Sequence, residues 1–173
     1  MLRLRVPLAA LFLAVTSAIT PGCDLASINE PITVTTDRIA YDFRVSNLVA
    51  GTPITLPSAA TLTVNGLIPG GFDAQSVAKA TIESVQIEQI VPSGAVYTLV
   101  NLQNVTFSLN GQNVATQASL SGTTATLARL NTDAAGVFTS NALRGSLAFT
   151  PAKTLGEEYA LRVSFVARVE IRN

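Results

Sequence analysis

The chain has 173 residues, of which 48% are hydrophobic and 13% charged, with eleven basic and eleven acidic side chains. This balance argues against nucleic acid as a partner, because neutralising phosphates requires a basic stripe of Lys and Arg. Histidine and tryptophan are absent, which removes the usual general base near neutral pH and a common metal ligand. The single cysteine excludes an intrachain disulfide.

The N-terminal residues have the pattern of a signal peptide. Arg3 and Arg5 form a short positive segment, and residues 6–19 follow without a charge. This run is too short to cross a hydrocarbon core of about 30 Å as a helix, which takes roughly 20 residues, but it suits the apolar region of a signal peptide. We therefore expect residues 1–22 to be a signal peptide and the rest of the chain to be exported.

The motif Thr20-Pro21-Gly22-Cys23 follows, and it contains the sole cysteine. It resembles the lipobox of bacterial lipoproteins, in which signal peptidase II cuts before a cysteine that already carries diacylglycerol. Gly22 matches that pattern, whereas Thr20 and Pro21 depart from it. The resemblance implies lipid attachment at Cys23 and a protein held at a membrane. Ordinary cleavage, for example after Ala18, is the alternative.

Residues 23–31 are mostly polar and end in Pro31. We expect them to be the lipid-attachment cysteine followed by a tether, whose last eight residues reach about 28 Å at most. Residues 32–173 are expected to form one domain, since a chain of about 150 residues buries enough surface to fold without disulfides or a bound metal.

The first clear strand alternates with a period of two. Ile39, Tyr41 and Phe43 share one face, whereas Asp42 and Arg44 share the other. Farther along, the sequence favours a short helix over residues 74–80 capped by Asp73, a strand over 82–91 and a helical turn within 132–141.

Asn110-Gly111 predicts a type I′ hairpin turn, because both central residues of that turn need positive φ. The period-two alternation on each side fits a two-residue loop. The expected pairs are Leu109 with Gln112, Phe107 with Val114 and Val105 with Thr116.

The C-terminal segment alternates from residue 159 to residue 171 and predicts one strand of roughly 50 Å, long enough to require a bend or a bulge. We expect Leu161, Val163, Phe165 and Val169 to be buried, and Arg162, Arg168 and Arg172 to meet solvent. Together with regularly spaced turn residues, these strands indicate an all-β, antiparallel, immunoglobulin-like β-sandwich.

Carboxylates are the main side chains left in this composition that could act in catalysis. Glu157 and Glu158 are adjacent, so on a strand they point to opposite faces, while Asp37, Asp42 and Asp133 are typical solvated turn residues. Calcium needs six to eight oxygen ligands, and a Ser-His-Asp triad needs a histidine. We therefore expect no catalytic residue, no cofactor and no metal site.

Tyr41, Tyr97 and Tyr159 are expected at the edge of the core rather than in a recognition patch, which is the alternative. The favoured function is that of an exported envelope lipoprotein with a non-catalytic binding or structural role. Its partners would be the lipid bilayer of the cell membrane or outer membrane, through Cys23, and another envelope protein. The domain would face the periplasm or the cell exterior.

Two other classes remain open. A small outer-membrane β-barrel would fit the length of the last strand, although the chain has few aromatic residues and no tryptophan for its interfacial girdles. An enzyme that uses only carboxylates would need two acids from different strands to converge in one pocket.

Overall fold

The computed structural model describes residues 30–92 and 97–172. The predicted signal peptide and the predicted lipid-attachment residue Cys23 lie outside these described residues. Within them the chain forms β1 (Ile32–Thr35), β2 (Ile39–Leu48), β3 (Ile54–Thr63), β4 (Val77–Val91), β5 (Leu102–Leu109), β6 (Gln112–Thr116), β7 (Thr124–Thr126), β8 (Ala128–Arg129), α1 (Ala135–Thr139), β9 (Ala142–Pro151) and β10 (Leu155–Ile171).

The strands form two five-stranded antiparallel sheets. In the first sheet, β10 lies at the centre, with β4 along one side and β1 and β2 along the other, and β7 pairs with the far side of β4. The second sheet has the order β3-β9-β5-β6-β8. The predicted all-β antiparallel sandwich is therefore confirmed.

The sandwich is not arranged as the four-plus-three strands of an immunoglobulin constant domain. Its sheets have five strands each, and two edge strands of the first sheet, β1 and β2, follow one another along the same side of β10. The immunoglobulin-like part of the prediction is not confirmed.

The long C-terminal strand is the best-predicted element. β10 spans 17 residues, and its predicted inner residues Leu161, Val163, Phe165 and Val169 are all fully buried. The arginines at 162, 168 and 172 are exposed, as expected. Its register with β4 shifts at three points, so the expected bulges are also present.

Aromatic rings join the two sheets. Phe107 of the second sheet lies 5.9 Å from Phe165 and 6.3 Å from Tyr41, both of the first sheet, between ring centroids. The Tyr41 hydroxyl donates a 2.7 Å hydrogen bond to the Leu143 carbonyl oxygen across the core. A β-carbon at Gly145 would stand 2.8 Å from the Tyr41 ring, so this position requires glycine.

In the central hairpin the predicted turn is confirmed, but the predicted register of its two strands is wrong in part. Asn110 and Gly111 have φ of 48° and 83°, as a type I′ turn requires, and Leu109 pairs with Gln112. The next predicted pairs are wrong, because a bulge shifts the ladder beyond Ser108. Phe107 pairs with Ala115 and Thr106 with Thr116, instead of the predicted Phe107 with Val114 and Val105 with Thr116.

The predicted helix over residues 74–80 is wrong in length. Asp73 does cap a turn, since its carboxylate accepts from the Gln75 amide at 3.1 Å, but that turn is a 3-10 helix over Ala74–Ser76. β4 then begins at Val77, because its apolar residues complete the core against β10. α1 confirms the helical turn within 132–141. Across the described ranges, no helix is long and apolar enough to span a membrane.

Candidate functional site

The outer face of the first sheet carries a row of charges across three neighbouring strands. Arg162 of β10 is the Cα partner of Asp42 on β2 and of Glu88 on β4. Thr124 of β7 continues the row beside Glu88. Because side chains directly opposite one another lie on the same face, the row alternates acid, base and acid.

Asp42 and Arg162 form the tightest pair in this row. The guanidinium donates to the two carboxylate oxygens of Asp42 at 2.7 and 3.0 Å. This hydrogen bonding, together with the positive charge of Arg162, holds the pKa of the Asp42 carboxyl below its usual value. Asp42 therefore stays ionised at neutral pH, which suits a binding group better than a general acid.

A second row lies next to the first and is uncharged. Ser164 of β10 is the Cα partner of Ala40 on β2 and of Gln86 on β4. The Arg38 guanidinium reaches over this row and donates to Gln86 Oε1 and, at 3.3 Å, to Ser164 Oγ. Both acceptors are neutral, so the charge of Arg38 is not balanced by either of them.

The two rows line a groove of about 540 Å³. Its wall includes Ala59 and Ala60, which belong to the bulged part of β3 between Pro57 and Thr61. The groove also touches three consecutive residues of β2, from Ala40 to Asp42. Since consecutive side chains alternate between faces, a groove lined by all three extends along the edge of that strand.

The candidate carboxylates lie apart from one another, and Asp42, which was expected in a turn, lies instead within β2 and pairs with Arg162. Glu158 pairs with Arg44 at 2.7 Å, and Asp133 accepts from the amides of Ala80 and Ala135 as a turn residue. Asp37 and Glu157 are exposed. In the described part of the chain, no group of three or more Cys, Asp or Glu side chains could hold a metal ion.

The three tyrosines lie inside the core rather than at its edge, where they were expected: Tyr41 and Tyr97 are 2% exposed and Tyr159 is 0% exposed. Tyr97 and Tyr159 meet edge to face at 4.9 Å, and burial raises the pKa of both phenols. Gln89 ties this cluster together by donating to the carbonyl oxygens of Pro92 and Tyr97 at 2.7 Å each, while it accepts from the Tyr159 hydroxyl at 3.3 Å. These tyrosines are not a surface patch.

Sequence reasoning missed Arg38, Gln86 and Glu88 as groove residues. Their neighbours come from distant parts of the chain, for example the Arg38–Gln86 contact across 48 residues. Period-two alternation predicts which face of a strand each side chain takes, but strand order alone brings Asp42, Arg162 and Glu88 into one row.

No known protein family matches this chain, and no curated protein does. Among solved structures, it is similar to the decameric BFDV capsid protein, with a TM-score of 0.35 and 9% sequence identity. The match covers 80% of this chain and 98% of the capsid protein chain. A likeness this distant supports no conclusion about function.

Proposed function

We propose that this protein is an envelope lipoprotein, anchored through a lipid on Cys23, whose sandwich is a non-catalytic binding domain. The observation that carries the binding role is the groove on the outer face of the first sheet. It offers about 540 Å³ of space between charged side chains and small ones. Such a combination of a concave site and a few placed polar groups is typical of ligand sites.

The charges in the groove favour binding over acid–base chemistry. A general acid or base works best with a pKa near the operating pH, whereas Arg162 lowers the pKa of Asp42. Glu88 is exposed and forms no ion pair with another described residue. Glu88 is the Cα partner of Arg162, so its carboxylate acts electrostatically on that guanidinium, and its exposure leaves it able to attract a cationic group of a ligand as well.

Arg38 and Glu88 suggest what the groove accepts. Arg38 bonds to Gln86 on β4, and the Cα of Glu88 lies about 7 Å from that of Gln86, two residues farther along the same strand. One cationic and one anionic group beside these neighbouring outward positions suit a polar segment that carries both charges. We propose that this segment belongs to another protein of the envelope.

Site-specific photo-crosslinking in a bacterium that produces the full chain tests this function. A photoreactive residue in place of Ala60 lies at the groove, and one in place of Ala148 lies on the outer face of the second sheet as the matched control. We expect a discrete protein adduct from position 60 that is lost when Arg38→Ala and Glu88→Gln are combined. The same adducts from both positions would contradict the groove as the binding site.

The anchor has its own test. Radiolabelled palmitate should be incorporated into the full chain, because the lipobox-like motif places Cys23 where the acyl chains are attached. Cys23→Ala should abolish both the labelling and the membrane association, while Ser27→Ala should leave them intact. Unchanged labelling in the Cys23 variant would show that the anchor is wrong without affecting the groove.

A further inference from the structure

The edges of the two sheets are protected unequally. Natural proteins prevent edge-to-edge pairing with very short edge strands, prolines and bulges. β7 and β8 have only 3 and 2 residues, and β3 contains Pro57 and a register break. β2 has 10 residues and no proline, and it pairs with β10 from Ser46 to Ile39 without a shift, the one register break lying beyond Ser46, before Leu48.

The far edge of β2 is also unused within the described residues. No strand pairs with it on the side away from β10, and no turn or loop backbone group bonds to it. Because the N–H and C=O groups of an edge strand alternate in direction, half of those in β2 face outward along this edge. The edge can therefore accept another strand.

We propose that two copies of this chain pair antiparallel through β2, centred on Phe43, and so join their first sheets. In this register Asp42 lies opposite Arg44 of the second copy, and Arg44 lies opposite its Asp42. Ala40 lies opposite Ser46 in the same way. The outward residues of β2 are thus complementary to themselves.

Charge selects this register over its neighbours. A shift that moves the centre to Asp42 puts two aspartates face to face, and one that moves it to Arg44 does the same with two arginines. Like charges directly opposite one another are destabilising. Slips that set an inward residue against an outward one are excluded for a symmetric pair, because directly opposed residues share a face and the two core faces would then lie on opposite sides of the joined sheet.

The ion pairs within each copy would join those between the copies into one longer series. Asp42 already binds Arg162, and Arg44 already binds Glu158. Pairing of two copies would therefore create an alternating series of Arg162, Asp42, Arg44 and Glu158, in which the first two belong to one copy and the last two to the other.

Sedimentation velocity of the purified full chain in a mild detergent tests the proposal. We expect the wild type to form dimers, and Asp42→Arg and Arg44→Asp alone each to raise the dimer Kd about tenfold or more, since each places like charges opposite one another. Mixing the two variants should restore association to within about threefold of the wild type, because the mixed pair is complementary again. Restoration on mixing also shows that both variants fold.

Arg168→Asp and Glu170→Arg make equal charge changes on the same face, away from β2, and should leave the dimer unchanged. Hydrogen exchange gives a second readout, in which amides of β2 in the wild type should become more protected as the protein concentration rises. A wild type that stays monomeric, a mixture that fails to associate, or β2 protection independent of concentration would overturn the proposal. The groove can still bind its ligand in that event, because its test changes Arg38 and Glu88 instead.

Discussion

The two sheets bury similar inner faces but expose different outer ones. All four ion pairs among the described residues join strands of the first sheet. The second sheet presents a row of small uncharged residues across four strands, which consists of Thr55, Ala148, Thr106 and Thr116. Exposed ion pairs contribute at most about 1 kcal/mol each, so stability alone does not explain why the charges concentrate on one sheet.

This difference indicates that the inner and outer faces of the sandwich have separate roles. The apolar inner faces hold the domain together, whichever sheet they belong to. The charged outer face of the first sheet carries the groove and the unprotected edge strand β2, and it is where we place recognition. The contrast can be tested by changing one face at a time.

The largest effect is expected on the inner face. Phe165 is fully buried against Tyr41 and Phe107, and Phe165→Ala should lower the free energy of unfolding by about 3–5 kcal/mol. Arg168→Ser, three residues away on the outer face, should change it by less than about 0.5 kcal/mol. Urea melts of the full chain measure both, and equal losses would contradict the assignment of the two faces.

The next largest loss of stability is expected where the two sheets pack closely against each other. A β-carbon at Gly145 would lie 2.8 Å from the Tyr41 ring, so Gly145→Ala should destabilise the domain by about 1–3 kcal/mol through overpacking. Gly156→Ala is the matched control, because nothing lies within 4 Å of its added β-carbon. If the two alanine variants melt alike, the sheets are not packed as closely as described.

Alkaline pH should lower the free energy of unfolding through the buried tyrosines and not through the outer face. Burial raises the pKa of the Tyr97 and Tyr159 phenols above 10, so the folded state keeps protons that the unfolded state loses. The stability that these groups contribute is full below the unfolded pKa of about 10 and falls above it, by about 1.4 kcal/mol per pH unit for each tyrosine. Denaturant melts between pH 9 and 12 should show this slope, and Tyr159→Phe should reduce it.

The smallest effect is expected from the charged row itself. Arg162 lowers the pKa of Asp42, so the pair contributes stability above the unfolded pKa of Asp, about 3.9, and loses it as the pH falls through the lower folded value. Both side chains are nearly half exposed, which limits the contribution to about 1 kcal/mol or less. A double-mutant cycle of Asp42→Asn and Arg162→Gln at pH 7 and pH 3 measures it, and a coupling that does not decrease at the lower pH would contradict this sign.

Local patterns in the sequence were sufficient for the elements whose cause is local. Alternation in β10 predicted both of its faces, Asn110-Gly111 predicted its turn, and Asp73 predicted the capped start of a helix, although that helix is one 3-10 turn instead of residues 74–80. Each depends on residues within a few positions of one another, since side-chain direction, positive φ and capping are properties of the neighbouring backbone.

Only the tertiary structure decided which strands become neighbours. Alternation predicts that Asp42, Glu88 and Arg162 face outward, but the pairing of β10 with both β2 and β4 sets them side by side. The bulge beyond Ser108, the early start of β4 and the free edge of β2 have the same origin. Register and strand order minimise the exposed apolar area of the whole domain, and that total is not contained in any short stretch of the chain.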